Sequence, residues 1–215
     1  MPKSKTAPLI LIVAAVIVAA GVALYLSRQG AEAGSPNNAA AAQGNGHIRG
    51  DEKAPITLVE YGDYQCPTCG LYHPIIAELL SRYHGKLKLE YHHFPLIQIH
   101  PNAMAAATAA EAAAEQGKFW EMHDQLYARQ QEWAPNPNAP TLFLQYALQL
   151  GLDGNRFQQS MNSPATRDRV LADVTRGSAV VQGTPTFILN GELIPELPGL
   201  EGLADRINRL LPTAK

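Results

Sequence analysis

The chain contains two cysteines, Cys66 and Cys69, which stand three positions apart. The residues before them are typical of a strand, and residues 71–80 after them are typical of a helix. Unpaired backbone N–H groups and the positive end of the dipole at a helix N-terminus favour a thiolate over a thiol. We therefore predict that Cys66 is the nucleophile and that Cys69, one helical turn on, is the resolving thiol of a disulfide exchange.

Other uses of the two cysteines remain open at this point. A zinc site could take Cys66, Cys69 and His73, which share one face of the predicted helix, but a closed structural site needs a fourth ligand from elsewhere. A purely structural disulfide is a second alternative, although so short a loop constrains the unfolded chain little. A module that binds peptides without catalysis is a third.

Two separated motifs resemble the DsbA-like thioredoxin-fold thiol:disulfide oxidoreductases. They are residues 60–69, EYGDYQCPTC, and residues 183–186, GTPT. The likeness extends from about residue 47 to the C-terminus and includes the helical region between the motifs. It implies an α/β thioredoxin fold with an inserted helical subdomain, and an enzyme of the protein disulfide oxidase or isomerase type that needs no cofactor and no metal.

Glu60 lies six residues before Cys66, in a strand that we expect to be buried. Burial would raise the pKa of its carboxyl group, which could then exchange protons with Cys69. The family is similar in placing an acid at this offset. A solvated glutamate at the edge of the sheet is the alternative, and nearby Asp63 is predicted to be a turn residue.

The resemblance also implies a surface for substrate. Pro185 matches a cis-proline whose loop lies beside the reactive sulfur and which lacks an N–H group to compete for it. The backbone of Thr184 would pair with an extended substrate chain as a short added strand. Pro67 and Thr68, between the cysteines, complete the predicted substrate-binding set.

The histidines carry no clear role. Better-known members of the family have an acid at the position of His73, so no role carries over, although an imidazole there could act on the Cys66 thiolate or move protons. We predict that the other histidines considered are solvated or hydrogen-bonded without a catalytic part: His84, His92, His93, His100 and His123.

An uncharged run covers residues 6–27, and its part at 9–26 is almost wholly aliphatic. As a helix it would extend about 33 Å, enough for a hydrocarbon layer of about 30 Å. We predict a single-pass membrane anchor within residues 1–28, with the charge distribution placing the remainder outside the cytoplasm. A signal peptide cleaved after residues 31–33, AEA, is the alternative.

Residues 29–46 have no apolar period and are predicted to form a flexible tether of about 23 Å. Residues 47–215 are then one domain, with a helical insertion at about 98–180. Without the three basic residues before position 29, 14 basic residues face 19 acidic ones, a formal charge of −5. The composition and the missing phosphate-binding glycine loop argue against a nucleic acid partner.

Periodicity predicts strands at 55–61 and 86–91 around the motif helix, which extends to about residue 83. Helical signals follow for about ninety residues, in four or five helices. Strands at 186–189 and 192–194 flank Asn190-Gly191, a dipeptide favoured in two-residue hairpins, and a final helix covers about 201–211. The predicted order is β-α-β, then helices, then β-β-α.

Taken together, these features predict an extracytoplasmic, periplasmic enzyme held at the cell membrane. Its substrates would be unfolded or reduced exported proteins, and a membrane thiol oxidase linked to quinone would recharge it. We predict an oxidant of intermediate potential, because Thr68 replaces the histidine of the strongest oxidants in the family. An isomerase or reductase supplied by a membrane reductant is the alternative.

Overall fold

The structure is a computed structural model, and it describes residues 46–211. Among these residues no helix combines the length and the apolar character needed to cross a membrane. The predicted anchor, the alternative cleavage site and the tether up to residue 45 lie outside the described residues. Their assignment stays a prediction, as do the proposed domain boundaries.

Five strands form one mixed sheet in the order β1-β3-β2-β4-β5. The strands are β1 (His47–Arg49), β2 (Ile56–Gly62), β3 (Leu87–His93), β4 (Thr186–Leu189) and β5 (Glu192–Ile194). β2 and β3 are parallel, and the other pairs are antiparallel. A helical crossover joins the parallel pair, as parallel neighbours require. β1 has no counterpart in the sequence prediction, and its three residues are too few for a visible alternation.

Eight helices accompany the sheet in the described part of the chain. They are α1 (Pro67–Arg82), α2 (Ala103–Ala114), α3 (Phe119–Ala128), α4 (Gln130–Trp133), α5 (Ala139–Gln149), α6 (Gly154–Met161), α7 (Pro164–Gly177) and α8 (Leu200–Leu210). Helices α2 to α7 follow one another between β3 and β4. This helical subdomain has six helices instead of four or five, partly because α4 is a single turn that no period marks.

Apart from β1 and the number of helices in the subdomain, the predicted order of strands and helices is confirmed, with small shifts at the element ends. β3 extends two residues beyond its predicted end because His92 and His93 continue the ladder with β2. The hairpin between β4 and β5 turns at Asn190 and Gly191, which have φ values of 47° and 89°. Both values are positive, as the dipeptide predicts.

Apolar side chains pack on both faces of the sheet. Ile56 and Leu58 of β2 belong to a cluster with α1 and α8, whereas Val59 and Tyr61 face the segment that leads into β4. A third cluster fills the helical subdomain, and it includes Cys66 and Cys69. The alanines of α2 form much of this third cluster. Their small side chains let the neighbouring helices approach α2 closely. The cysteines therefore lie where the sheet meets the subdomain.

Candidate active site

Cys66 occupies the N-cap position of α1, directly after the turn that leaves β2. Its backbone N–H donates to the carbonyl oxygen of Asp63 at 3.0 Å, which closes the turn. Pro67 follows at the first helical position, where its missing N–H costs nothing and its fixed φ suits the helix. Pro67 is exposed and Thr68 half-buried, while Cys66 itself is 7% exposed.

The sulfur of Cys66 is surrounded by hydrogen-bond donors. The thiol of Cys69 and the backbone N–H groups of Cys69 and Thr68 donate to it, and these contacts outweigh its partial burial. They lower the pKa of Cys66 from 9.0 to about 5. At neutral pH, Cys66 is therefore a thiolate, the form that attacks disulfides.

Cys69 lies one turn deeper and is fully buried. Burial raises the pKa of its thiol well above 9.0, and its hydrogen bond to Cys66 and the charge of Glu60 add to the shift. The two cysteines are not joined by a disulfide bond in this structure. The two sulfurs thus differ in both exposure and acidity, with a slightly exposed thiolate at Cys66 and a fully buried thiol at Cys69.

The Thr184-Pro185 peptide bond is cis, and its loop lies against Cys66. The sulfur of Cys66 lies 3.2 Å from the carbonyl oxygen of Thr184, which accepts a hydrogen bond from it when Cys66 is protonated. Pro185 is buried and Thr184 half-buried. The same loop lines an open cleft of about 400 Å³, which Leu193 and Leu197 also line. The structure thus brings the two motifs of the sequence together around one sulfur.

Glu60 lies in the centre of the sheet, between Tyr91 of β3 and Phe187 of β4. Its exposure of 3% rules out the solvated edge position that the sequence left open. Burial, and then the charge of Cys66, raises the pKa of its carboxyl from 4.5 to about 8. No salt bridge within residues 46–211 neutralises it, so Glu60 is protonated at neutral pH.

Three buried tyrosines that the sequence analysis did not single out surround Glu60. Tyr91 and Tyr127 share a hydrogen bond of 3.2 Å between their hydroxyl groups, and the hydroxyl of Tyr64 lies 3.1 Å from Nδ1 of His123. Burial raises the pKa of each tyrosine and lowers that of His123, so all four groups stay neutral. The carboxyl of Glu60 thus has neutral side chains near it, and its burial raises its pKa.

His73 does not face the cysteines. Its Nε2 lies 3.0 Å from Oδ1 of Asp124 on α3, and Arg49 of β1 binds both oxygens of the same carboxylate. His73 therefore helps to join α1 to α3 and β1. Among the described residues, the groups of side chains close enough to share a metal ion include neither cysteine. This geometry does not support the zinc alternative built on Cys66, Cys69 and His73.

Gln130 is a site residue that the sequence analysis missed. It is buried on the single turn of α4, and its Nε2 donates to the carbonyl oxygens of Tyr64 at 2.7 Å and Cys66 at 2.8 Å. Gly70 on α1 leaves room for it, since a Cβ atom there would approach Oε1 of Gln130 to 2.7 Å. No sequence spacing signals this contact, because the residues are sixty or more positions apart.

Asp63 is a turn residue, as predicted, and it also makes contacts outside the turn. Its carboxylate accepts from the backbone N–H of Gln65 at 2.8 Å, and also from the N–H of Leu96 at 2.9 Å and from His100 Nδ1 at 2.7 Å. The side chain is fully buried. Asp63 therefore ties the turn before Cys66 to the loop that follows β3.

The remaining histidines agree with the prediction that they are hydrogen-bonded or solvated. His92 is buried between two carboxylates, with Nδ1 2.9 Å from Asp173 and Nε2 2.8 Å from Glu90. His93 lies 3.0 Å from Glu111. His84 is exposed.

A family model described as thioredoxin matches residues 42–209, which is most of the chain. The chain belongs to the thioredoxin family. Solved structures of similar fold agree with this result. Wolbachia pipientis alpha-DsbA1 is 22% identical and has a TM-score of 0.69, with coverage of 78% of this chain and 92% of that one. A thioredoxin-like oxidoreductase from Silicibacter pomeroyi DSS-3 is 27% identical, with a TM-score of 0.66 and coverage of 80% and 95%.

These findings confirm the predicted thioredoxin fold with a helical insertion. The predicted resemblance to the DsbA-like thiol:disulfide oxidoreductases is confirmed at the level of the fold, and the match to a thioredoxin-like oxidoreductase agrees with the predicted enzyme class.

A curated relative shows the same domain in a different setting. The Na(+)/H(+) antiporter NhaA 3 of Salinispora tropica is 45% identical over 146 residues, which cover 67% of this chain. The match spans only 22% of the length of that protein. The similarity therefore concerns one domain-sized part of the antiporter, and it assigns no transport activity to this thioredoxin-family chain.

Proposed function

We propose that the chain is an exported thiol:disulfide oxidoreductase that donates its Cys66–Cys69 disulfide to reduced proteins. The acidity of Cys66 beside the neutral, buried Cys69 is the observation that carries this proposal. A stabilised thiolate favours the reduced form of the enzyme, and this makes its disulfide a stronger oxidant. Removal of Cys66 should therefore abolish activity completely.

The reaction uses the two sulfurs in sequence. A substrate thiolate attacks the Cys66 sulfur of the disulfide, the Cys66–Cys69 bond breaks, and Cys69 leaves and takes up a proton. A second substrate thiolate then attacks the substrate sulfur of the mixed disulfide and releases Cys66 as a thiolate. The substrate dithiol is oxidised to a disulfide, and the enzyme disulfide is reduced to the thiol pair.

Glu60 supplies the proton that Cys69 needs. At neutral pH its carboxyl is protonated, because burial and then the charge of Cys66 raise its pKa to about 8. In the reverse direction the same carboxylate accepts a proton from the Cys69 thiol, so that Cys69 can attack a mixed disulfide. The two groups act on Cys69 through their charges, since a negative charge on Glu60 or on Cys66 raises the pKa of the Cys69 thiol.

The cleft beside the cis-proline loop would hold the substrate chain. Its walls combine the backbone of residues 183–186 with the apolar side chains of Leu193 and Leu197. Pairing with the backbone of Thr184 recognises the extended backbone of a substrate and not a particular side chain. This recognition suits an enzyme with many unfolded substrates. Pro67 and Thr68 border the same sulfur and would contact the substrate next to the reacting atoms.

The cellular setting that we propose follows from the N-terminal sequence. An anchor at residues 9–26 would hold the domain at the outer face of the cell membrane, where disulfides persist. A membrane thiol oxidase that passes electrons to quinone would restore the disulfide. Proteolytic release after residues 31–33 would leave the domain free in the same compartment.

A trapping experiment tests the assignment of the two sulfurs. The Cys69→Ala variant should accumulate mixed disulfides with exported proteins through Cys66, because the second sulfur is missing. Non-reducing gels would show these adducts, and a Cys66→Ala, Cys69→Ala variant is the matched control. Adducts that persist in the control, or none in Cys69→Ala, would contradict the assignment.

Equilibration with glutathione tests the direction. We expect a potential well above about −270 mV, the value typical of thioredoxin, and below the about −120 mV of the strongest oxidant. A value near −270 mV would favour a reductase. A dimeric enzyme kept reduced in the cell would instead favour an isomerase.

A further inference from the structure

Two histidines and one glutamate converge at the first strand of the domain, away from the cysteines. Nε2 of His47 on β1 lies 2.6 Å from Oε1 of Glu111 on α2, and Nε2 of His93 at the end of β3 lies 3.0 Å from the same oxygen. All three ligand atoms lie within 4.8 Å of one another. We propose that His47, His93 and Glu111 bind a divalent transition-metal ion of the zinc class.

The donor set fits this class of ion. Imidazole nitrogen and carboxylate oxygen are ordinary zinc ligands, and two histidines with one glutamate form a known three-ligand set that leaves a position for water. Tetrahedral ligands at about 2.0–2.1 Å from zinc lie roughly 3.3 Å apart. The present separations of 2.6 and 3.0 Å need to widen by less than an ångström. Rotation of the partly exposed His47 side chain can supply part of this change.

The local charge also favours a cation. Arg169 on α7 binds Glu111 through Oε2 alone, at 2.8 Å, so its guanidinium does not compete with a metal for Oε1. Arg169 is itself paired with Glu115. One guanidinium thus faces two carboxylates, and the cluster keeps a negative charge when both histidines are neutral.

A second histidine cluster provides a contrast. His73, His123 and Asp124 also lie close enough to share a metal ion. However, Arg49 binds both carboxylate oxygens of Asp124, at 2.9 and 2.7 Å. A metal there would have to displace a guanidinium, so we assign the ion to the cluster at Glu111 and not to this one.

Solvent reaches the proposed site through His47, whose side chain is 28% exposed. His93 is fully buried, and its Nδ1 finds no hydrogen-bond partner among residues 46–211. Metal-binding histidines are usually held through their second nitrogen, and loss of such a partner weakens binding by about 10–100-fold. We therefore expect weaker affinity than at a structural zinc site with anchored ligands.

Bound metal would fasten β1 to the rest of the domain. β1 is a three-residue edge strand, paired only with β3 in the described sheet. His47 is its first residue and directly follows the predicted tether. A metal that binds only the folded state adds to its stability in proportion to the logarithm of its concentration. The site would thus hold the start of the domain against α2.

Zinc titration of the full-length protein in detergent tests the proposal. For this titration the protein is prepared without a histidine tag and with the Cys66–Cys69 disulfide formed, so that neither cysteine offers a thiolate to the metal. Calorimetry should show one equivalent bound, and zinc should raise the melting temperature. The His47→Phe variant keeps a ring against Phe119, which His47 stacks on, but removes the ligand nitrogen. It should weaken binding at least tenfold.

His73→Phe, from the second cluster, is the matched control and should bind zinc like the parent protein. A parent protein that binds no zinc would overturn the proposal. So would unchanged binding in His47→Phe, or binding that is lost in His73→Phe alone. If His47→Phe fails to fold, which circular dichroism would show, His47→Ala takes its place in the same comparison.

Discussion

The side-chain nitrogen of Gln130 lies 2.8 Å from the carbonyl oxygen of Cys66. A residue of the helical subdomain therefore holds the backbone of the redox motif at the first turn of α1. The same nitrogen holds the carbonyl of Tyr64, on the other side of the turn. The subdomain is thus part of the support of the reactive sulfur.

Replacement of this amide should disturb both stability and sulfur chemistry. Gln130→Ala removes two buried hydrogen bonds, and we expect a loss of about 1–3 kcal/mol in the free energy of unfolding. The first turn of α1 would loosen, and the pKa of Cys66 should rise as its amide donors move. Urea denaturation and the pH dependence of alkylation measure the two effects. Gln131→Ala, an exposed neighbour, should change neither.

The acidity of Cys66 should depend on Cys69. In the reduced protein, alkylation of Cys66 should reach half its maximal rate near pH 5, because the pKa is lowered to about 5. Cys69→Ala removes the largest contribution to this shift, the thiol hydrogen bond. Its alkylation midpoint should move toward higher pH. A midpoint near about 8.5 in the parent protein would contradict the thiolate and the proposed function with it.

Glu60 should make the protein less stable as pH rises. Its folded pKa is raised, so the stabilisation is complete below the unfolded value of 4.5 and is lost as pH rises toward about 8. In the oxidised protein neither thiol titrates, so burial alone raises the pKa of Glu60. The free energy of unfolding should then fall by on the order of 2 kcal/mol between pH 4.5 and 7. Glu60→Gln should make the decrease in stability between pH 4 and 8 smaller by this amount in denaturation experiments, because only the contribution of Glu60 is removed.

The same variant tests the proton transfer. Glu60→Gln should leave the pKa of Cys66 near its parental value and slow the release of the mixed disulfide, because Cys69 loses its proton partner. Stopped-flow kinetics would measure the release rate. Release at the parental rate would mean that Glu60 has no part in the transfer.

The buried pair of His92 and Asp173 should stabilise the protein at lower pH. Burial lowers the pKa of His92, but its hydrogen bonds to Asp173 and Glu90 outweigh this effect and raise the pKa overall. The stabilisation is therefore complete below the unfolded value of 6.5 and is lost as pH rises through the folded value.

Asp173→Asn should cost about 1–3 kcal/mol below pH 6, because His92 loses one of its two carboxylate partners and keeps only Glu90. The difference from the parent protein should shrink at high pH. Denaturation at pH 5.5 and pH 9 measures both values. Asp168→Asn, exposed on the same helix, is the control, and an equal loss at both pH values would exclude the ionic contribution.

The sequence was sufficient for the elements that have a strong period and for the sulfur pair. β2, α1 and the hairpin at Asn190 carry local signals, and the cysteines lie close together in the chain. The position of Pro185 beside Cys66 came only from resemblance, because 118 residues separate Thr184 from Cys66. Neither composition nor spacing could have supplied that contact.

Other parts of the site depend on packing that no local pattern encodes. Gln130 sits on a single helical turn, and His73 turns toward Asp124 because Arg49 and the carboxylate lie on that side of α1. The carboxylate of Asp63 accepts hydrogen bonds from two loops, the turn before Cys66 and the loop after β3, because the second loop packs beside it. Long-range contacts of this kind follow from the fold and not from neighbouring residues.

The close approach of Gly70 to Gln130 has an evolutionary consequence. A methyl group at position 70 would meet the end of the glutamine side chain and push its amide off the Cys66 carbonyl. Relatives that carry a larger residue at position 70 should therefore carry a shorter one at position 130, with another donor for the freed carbonyl. The two positions, sixty residues apart, should covary across an alignment of the family. The redox motif and the inserted subdomain would then have to be inherited together. A subdomain exchanged between distant relatives would fit its new motif only if both positions were exchanged.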